Sequence, residues 1–293
     1  MTPRYDVHTR ALLVSLNISC WAAKKYDAKI SKQVADQHAT SEDAGRYNKS
    51  LLLKGQSSHQ ELNSFLANVR QEHYKNTLAW SDDGWRLLPT ANYMEYASMV
   101  RKSTQEYESK LEAFLSDYPA MADAARRARN GLLSEDEYPT VSQLRRKYAL
   151  AADFKPMPRG EDFRVTLSQD EIDHLAKSCE DKVTSALIEA QQDAVNRLYT
   201  CVSKINEKLS DPDAIFRDTL ITNARELCDV LSRLNISEDY HLEEMRQKLE
   251  RIALNNEPQT LRDDESTRAT VAHDTAALMA AMRGLYPEVS AAS

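Results

Sequence analysis

Between residues 168 and 209 the apolar positions recur every eleven residues. Ile172, Val183, Ala194 and Ile205 form one row, Leu187, Leu198 and Leu209 a second, and Cys179, Ala190 and Cys201 a third. Eleven residues over three turns is about 3.67 residues per turn, so the stripe runs nearly straight along one uninterrupted helix or drifts slightly right-handed. A long, narrow stripe needs another helix to cover it. The pattern predicts a coiled-coil-like element in which Ile172, Val183, Leu187, Leu198, Ile205 and Leu209 form the seam of a helical hairpin or of an oligomer. Ser168-Gln-Asp-Glu171 reads as a capping box that opens it. Asp211-Pro212 ends it and sets a proline in the first turn of the next helix, where the missing N–H costs nothing. That helix carries Phe216, Leu220, Ala224, Leu227, Leu231 and Leu234, and the short connection makes the pair antiparallel. Ser237 is expected to cap a third helix, with Leu242, Met245, Leu249 and Ile252, and a last helix ends near Gly284.

The first half reads differently. Leu12, Val14, Leu16, Ile18 and Cys20 alternate, which predicts a strand over residues 11–20 with Leu13 suggesting partial cover on the other face. Phe163-Arg-Val-Thr-Leu167 is a second short alternating run, and the two are expected to pair. Ser58-His-Gln-Glu61 is a capping box before Leu62, Phe65, Leu66 and Val69. Trp80-Ser-Asp-Asp-Gly-Trp85 is a turn. A helix is expected over residues 91–117 with a stripe of tyrosines, then a shorter one after Pro119 that Gly131 terminates in a left-handed cap. Another starts at Tyr138-Pro139 and runs through Tyr148. Lys155-Pro-Met-Pro-Arg-Gly160 breaks helix and marks the expected boundary between residues 1–160 and 161–293. The fold class expected is mainly α: a long antiparallel helical hairpin on a helical base with a small two-stranded β element.

Composition supports this. Only six glycines and nine prolines occur in 293 residues, and 28% of the chain is charged. No apolar run approaches the roughly 18 residues that would span a bilayer, and Met1-Thr-Pro-Arg-Tyr-Asp lacks the design of a signal peptide. Cys20, Cys179, Cys201 and Cys228 are widely spaced and read as reduced core residues. The net charge of −7 is unevenly spread. Residues 1–162 carry 23 Lys and Arg against 21 Asp and Glu, whereas residues 163–293 carry 15 against 24. Phosphates would be repelled by the second half, so nucleic acid is disfavoured there.

Candidate chemistry is sparse. Arg126, Arg127, Arg129, Arg145, Arg146 and Lys147 could grip phosphates, with Tyr118, Tyr138 and Tyr148 nearby. The plainer reading, a solvated face neutralised by Glu135, Asp136 and Glu137, is favoured. His241 and His174 each lack the second histidine that a helical zinc motif requires. No nucleophile motif or glycine-rich phosphate loop is visible, so no catalytic residue, metal site or cofactor is expected. Trp80 and Trp85 flank a polar turn and are candidates for partner contact.

The strand followed by Trp21 and Lys24-Lys25, together with Phe114-Leu-Ser-Asp-Tyr-Pro119, Glu137-Tyr-Pro139 and Phe163-Arg164, resembles a phage and bacterial family defined only as a domain of unknown function. The likeness covers about residues 11–167. It implies a phage or mobile-element accessory protein in the cytoplasm of a bacterial host. Members are often encoded near MoxR-type AAA+ ATPases and von Willebrand-type proteins, so it also implies an AAA+ ATPase as partner. It carries over no catalytic residues. The expectation is a non-enzymatic scaffold, adaptor or inhibitor that contacts a host or phage protein and forms a homo-oligomer. The alternative is a nucleic-acid binder, such as a DNA-end binder that blocks host nucleases.

Overall fold

The computed structural model describes residues 7–41, 43–55, 57–80, 84–130, 132–162, 167–211, 214–215 and 217–290. In chain order the described elements are β1 (Ala11–Ser19), β2 (Lys24–Tyr26), α1 (Ala28–Gln37), β3 (Asn48–Ser50), α2 (Ser57–Lys75), β4 (Trp85–Pro89), α3 (Tyr93–Ala128), α4 (Val141–Arg145), β5 (Ala149–Pro156), α5 (Gln169–Ser210), α6 (Thr219–Leu234), α7 (Tyr240–Asn255), α8 (Pro258–Asp263) and α9 (Glu265–Leu285). The protein is mainly α, with two long helices and two small sheets among the described residues. Its contacts divide it into two units. The first comprises Met1–Ser15, His73–Ala97 and Asp153–Ser293; the second comprises Leu16–Glu72 and Ser98–Ala152. The first unit thus joins segments from the N-terminal half of the chain to the C-terminal helices.

The first unit is organised by α5. Ser168 caps it, its hydroxyl accepting from the Glu171 amide. The stripe is buried along most of its length, with Leu198, Val202 and Ile205 at most 1% exposed. The helix that covers the C-terminal half is chiefly α9, with α6 as a second neighbour and α7 packed on α6. Polar contacts fix the α5–α9 register. Asn206 donates to the Ala272 carbonyl at 2.7 Å, and Arg283 donates to the Tyr199 hydroxyl at 2.8 Å. Arg268 reaches the carbonyls of Lys208, Leu209 and Asp211, supplying donors to the open C-terminal end of α5.

Several expected boundaries shift. The helix expected from Pro212 begins at Thr219; Pro212 and Phe216 lie outside the described residues, and Ile215 is almost fully exposed. Asp239, not Ser237, caps α7: one carboxylate oxygen accepts from the amides of His241 and Leu242. A carboxylate at this position accepts two orphan donors and also complements the helix dipole. The break expected at Pro119 is absent, and α3 continues through it. The stripe Tyr107, Leu111, Phe114, Leu115, Tyr118, Ala122 and Ala125 is buried and stays in phase across the proline, so packing outweighs the lost hydrogen bond. Asn130 takes the left-handed backbone (φ 41°) just beyond this helix; Gly131 lies outside the described residues. The helix expected from Pro139 shortens to α4, capped by Thr140 and Gln143.

Strand β1 is central in a sheet of order β4–β1–β5. It pairs antiparallel with β4 from Ala11↔Pro89 to Ser15↔Trp85, and both Leu13 and Val14 are buried. The described neighbours of β1 are β4 and β5, and the expected partner strand 163–167 falls almost wholly outside the described residues. Residues 163–166 lie outside the described residues, and Leu167 is exposed and not in a strand. The two-stranded sheet is β2 with β3, in the second unit. That unit's core gathers Trp21, Leu62, Leu66, Phe114, Tyr118, Leu144 and Tyr148.

Truncating Leu198, fully buried in the α5 seam, to alanine should cost about 2–5 kcal/mol of unfolding free energy. Ile188→Ala, at a position 63% exposed on the same helix, should stay within about 0.5 kcal/mol of wild type. Urea titrations of the two variants make the comparison, and equal effects would refute the assigned seam.

Candidate functional site

The N-terminal half of α5 presents Leu175, Cys179, Val183 and Ala186 as the floor of a groove of about 1240 Å³, with Trp80 and Pro158 also lining it. The floor is the same stripe that α9 fills further along. Here its side chains are small, and the α9 contacts named above begin only at Tyr199 and run to the helix end. Around the floor stand His174, Lys177, Asp181, Lys182, Ser185 and Glu189. Residues 169–190 as a whole carry Asp170, Glu171, Asp173, Glu180, Asp181 and Glu189 against Lys177 and Lys182, so this stretch of helix is acidic.

Backbone geometry explains the wall at Pro158. Gly160 is buried against α5, and a Cβ built there would meet Ala176 Cβ at 3.0 Å and its backbone at 3.2 Å. Only glycine lets the Pro158–Gly160 segment approach α5 this closely.

The wall at Trp80 is held by a polar network. Arg197 grips Asp193 with two bonds (3.0 and 2.8 Å) and donates to the carbonyls of Lys75 (2.9 Å) and Thr77 (2.7 Å). The Ala79 amide donates to Asp193 at 3.1 Å. Arg86 donates to the Thr77 hydroxyl and carbonyl, and that hydroxyl donates to the His73 carbonyl. Leu78 and Leu87 exchange both backbone bonds. The segment just before Trp80 is thus tied to α5 by side chains that saturate its backbone. His73 is buried, its Nδ1 lying 2.7 Å from the Tyr96 hydroxyl. Burial, with a smaller push from Arg86, brings its pKa down to about 4, so the imidazole is neutral at neutral pH.

Trp80 therefore joins the groove, whereas Trp85 sits in β4 paired with Ser15, the Lys155 ammonium 3.8 Å above its ring. Of the seam residues, Val183 lines the groove; Leu198, Ile205 and Leu209 are covered; Leu187 packs on the core and Ile172 is half-buried. Burial raises the Cys179 thiol, and lifts Cys201 to about 11 and Cys228 to about 12, so all three stay protonated at neutral pH. The described residues contain no group of three His, Cys, Asp or Glu placed to hold a metal ion. No helix among them is long and apolar enough to cross a membrane.

The six basic residues fall in the second unit and are not equivalent. Arg126 pairs with Asp123 and Glu135, Arg145 grips Glu112, and Arg129 donates to the Leu52 carbonyl. Arg127 and Lys147 are exposed with no ion pair among the described residues, and Arg146 donates only to the Ser142 carbonyl of its own helix. Arg146 and Lys147 instead share a cavity of about 540 Å³ with Lys24 and Lys25, a meeting of two distant basic pairs that spacing along the chain does not reveal. No family model, curated protein or solved structure matches the chain.

Replacing Gly160 with alanine should destabilise the first unit by about 1–3 kcal/mol, the range for forcing a methyl into a filled site; an unchanged thermal melt would show that the wall moves freely. Because the folded pKa of His73 lies below the ordinary 6.5, its contribution to stability is complete above about pH 6.5 and is lost as pH falls toward 4. Urea unfolding across that window should show a steeper decline for wild type than for His73→Gln, and parallel curves would refute the buried, neutral assignment.

Proposed function

We propose that the protein is a non-enzymatic interaction module, an adaptor, scaffold or inhibitor, whose groove on α5 receives a basic amphipathic helix from a partner protein. The observation that carries this reading is the groove itself: it lies over small apolar side chains, Cys179, Val183 and Ala186, on a stretch of helix with six carboxylates and two lysines. A helix with one apolar ridge fits such a groove, as α9 does further along, and lysines beside that ridge meet Asp181, Glu189 and the exposed carboxylates at 170, 171, 173 and 180 on the same helix. The resemblance to a phage and bacterial family supports a mobile-element accessory role in a bacterial cytoplasm, with an AAA+ ATPase as one source of the helix. Homo-oligomerisation through the same face is the competing use of the groove. The DNA-end-binding alternative draws less support, because four of its six cations are already engaged by carboxylates or a backbone carbonyl.

Fluorescence anisotropy with a designed Leu/Lys amphipathic helix and its Leu/Glu counterpart tests the groove. The basic helix should bind at least about ten-fold more tightly, and Ala186→Trp, which fills the floor, should remove about that factor. Equal binding to Ala186→Trp would sink the proposal. A photo-crosslinking residue at Ser185, but not one at the exposed Thr184, should give adducts in the expressing cell; adducts with the mass of two copies would assign the face to self-association instead.

A further inference from the structure

The second unit holds a cavity that the interaction reading does not use. Lys24, Lys25, Arg146 and Lys147 line it with Asp136 and Glu137, so four cations face two carboxylates. Trp21, Tyr138 and Pro139 add an apolar side.

The local structure shows why these cations converge. Ala23 adopts a positive φ of 52° and turns the chain from Trp21 into β2, which carries Lys24 and Lys25. β2 pairs with β3, placing Lys25 opposite Lys49. Lys49 is buried, with ion pairs to Asp27 (3.2 Å) and Glu137 (2.6 Å) and a bond to the Leu132 carbonyl. Glu137 also receives Lys25 at 3.4 Å and the Ser134 amide at 3.0 Å. Its charge is thus taken up by the two lysines that fix the turn before Tyr138. The Tyr138 hydroxyl donates to the Leu51 carbonyl, and Tyr118 donates to the Pro139 carbonyl. This ties down the approach to α4, and the Thr140–Gln143 capping box starts that helix so that Arg146 and Lys147 emerge at its far end.

With Glu137 spent on Lys49 and Lys25, the cavity retains Lys24, Arg146 and Lys147 against Asp136 alone. Lys24 and Lys147 have no ion pair among the described residues. A surplus of two positive charges matches a phosphomonoester, which carries about −1.5 to −2 at neutral pH and offers three acceptor oxygens. Arginine supplies a planar fork for two of these oxygens, and lysine a mobile point charge. A carboxylate would satisfy fewer of these groups, and the apolar side gives the esterified portion a surface that a bare anion such as sulfate or inorganic phosphate does not need.

We propose that this cavity binds a phosphomonoester, held by Lys24, Arg146 and Lys147 with its ester group against Trp21, Tyr138 and Pro139. This site lies wholly within the second unit and stands independently of the α5 groove. Chain-end phosphates, mononucleotides and phosphorylated side chains share this chemistry.

Calorimetry on the full chain tests it with four probes: inorganic phosphate, adenosine monophosphate, phosphoserine, and a short single-stranded oligonucleotide with or without a 5′-phosphate. At least one ester should bind more tightly than inorganic phosphate, and removing the 5′-phosphate should abolish any oligonucleotide signal beyond weak, salt-sensitive background. The ester that binds best identifies the source. Arg146→Ala with Lys147→Ala should weaken binding at least about ten-fold, while Arg127→Ala, a cation outside the cavity, should leave it unchanged. Lys24→Gln gives a second, independent variant at an exposed residue, and an unchanged thermal melt certifies that each variant is folded. Amide shifts on titration should concentrate at residues 24–25 and 143–147. Absence of binding by every probe at low salt, equal binding with and without the phosphate, or equal losses in Arg127→Ala would each overturn the proposal.

Discussion

A helix of 42 residues with an apolar stripe along its length must be covered or it will not persist in water, and the first unit is arranged around that constraint. The C-terminal half meets it with large side chains: Leu198, Val202, Ile205 and Leu209 are buried against the bundle of α6, α7 and α9. The N-terminal half meets it with smaller ones: Cys179, Val183, Ala186 and Ala190 are buried as well. That change in side-chain volume, on one unbroken backbone, separates the seam that α9 fills from the groove that lies over small, buried side chains.

Arg197 and Asp193 stand between those halves. Both are partly buried, and a charge withdrawn from water is costly unless its partners are well placed. Here the guanidinium serves Asp193 and two backbone carbonyls, and the carboxylate also accepts the Ala79 amide. The backbone around the fully buried Thr77 would otherwise be left with unsatisfied groups. The network satisfies it and, by the same bonds, fixes the direction from which Trp80 reaches the groove. Asp239 plays a comparable part at the other end of the bundle. It caps α7 while accepting from Gln191 and the Tyr286 hydroxyl, so one carboxylate joins α5, α7 and the end of α9.

Much of this was legible in the pattern of residues. The eleven-residue repeat located α5 to its capping serine, and the alternation at Leu12–Ile18 located β1. What stayed hidden has physical reasons. Trp85-Arg-Leu-Leu-Pro89 is a strand buried at successive positions, so it shows no alternation. Ala149–Pro156 is rich in alanine and largely exposed, so neither propensity nor burial marks it as a strand. Pro119 sits in a helix because the aromatic stripe on both sides keeps phase through it, which is a property of packing and not of the proline. The stripe itself does not say which helix covers it, and α9, remote in sequence, takes more of α5 than the neighbouring α6. Of the candidate site residues, Trp80 was visible as an aromatic beside a turn, whereas the convergence of Lys24 and Lys25 on Arg146 and Lys147 depends on the β2–β3 pairing and on Lys49.

The uneven charge along the chain acquires meaning once its partners are counted. In the second unit the excess is only slightly positive, yet buried Lys49 and its carboxylates absorb the acidic side of the balance and leave Lys24, Arg146 and Lys147 facing one cavity. In the first unit several carboxylates are consumed by arginines, as Asp193 is by Arg197 and Glu243 by Arg246. Those on the N-terminal half of α5 are largely left to solvent beside an apolar floor. Net charge taken over the whole chain is therefore a poor guide to what this protein can hold. The informative quantity is the charge that remains after internal pairing: the cavity of the second unit keeps Lys24, Arg146 and Lys147 against Asp136, whereas Lys177 and Lys182 offset Asp181 and Glu189 around the α5 groove.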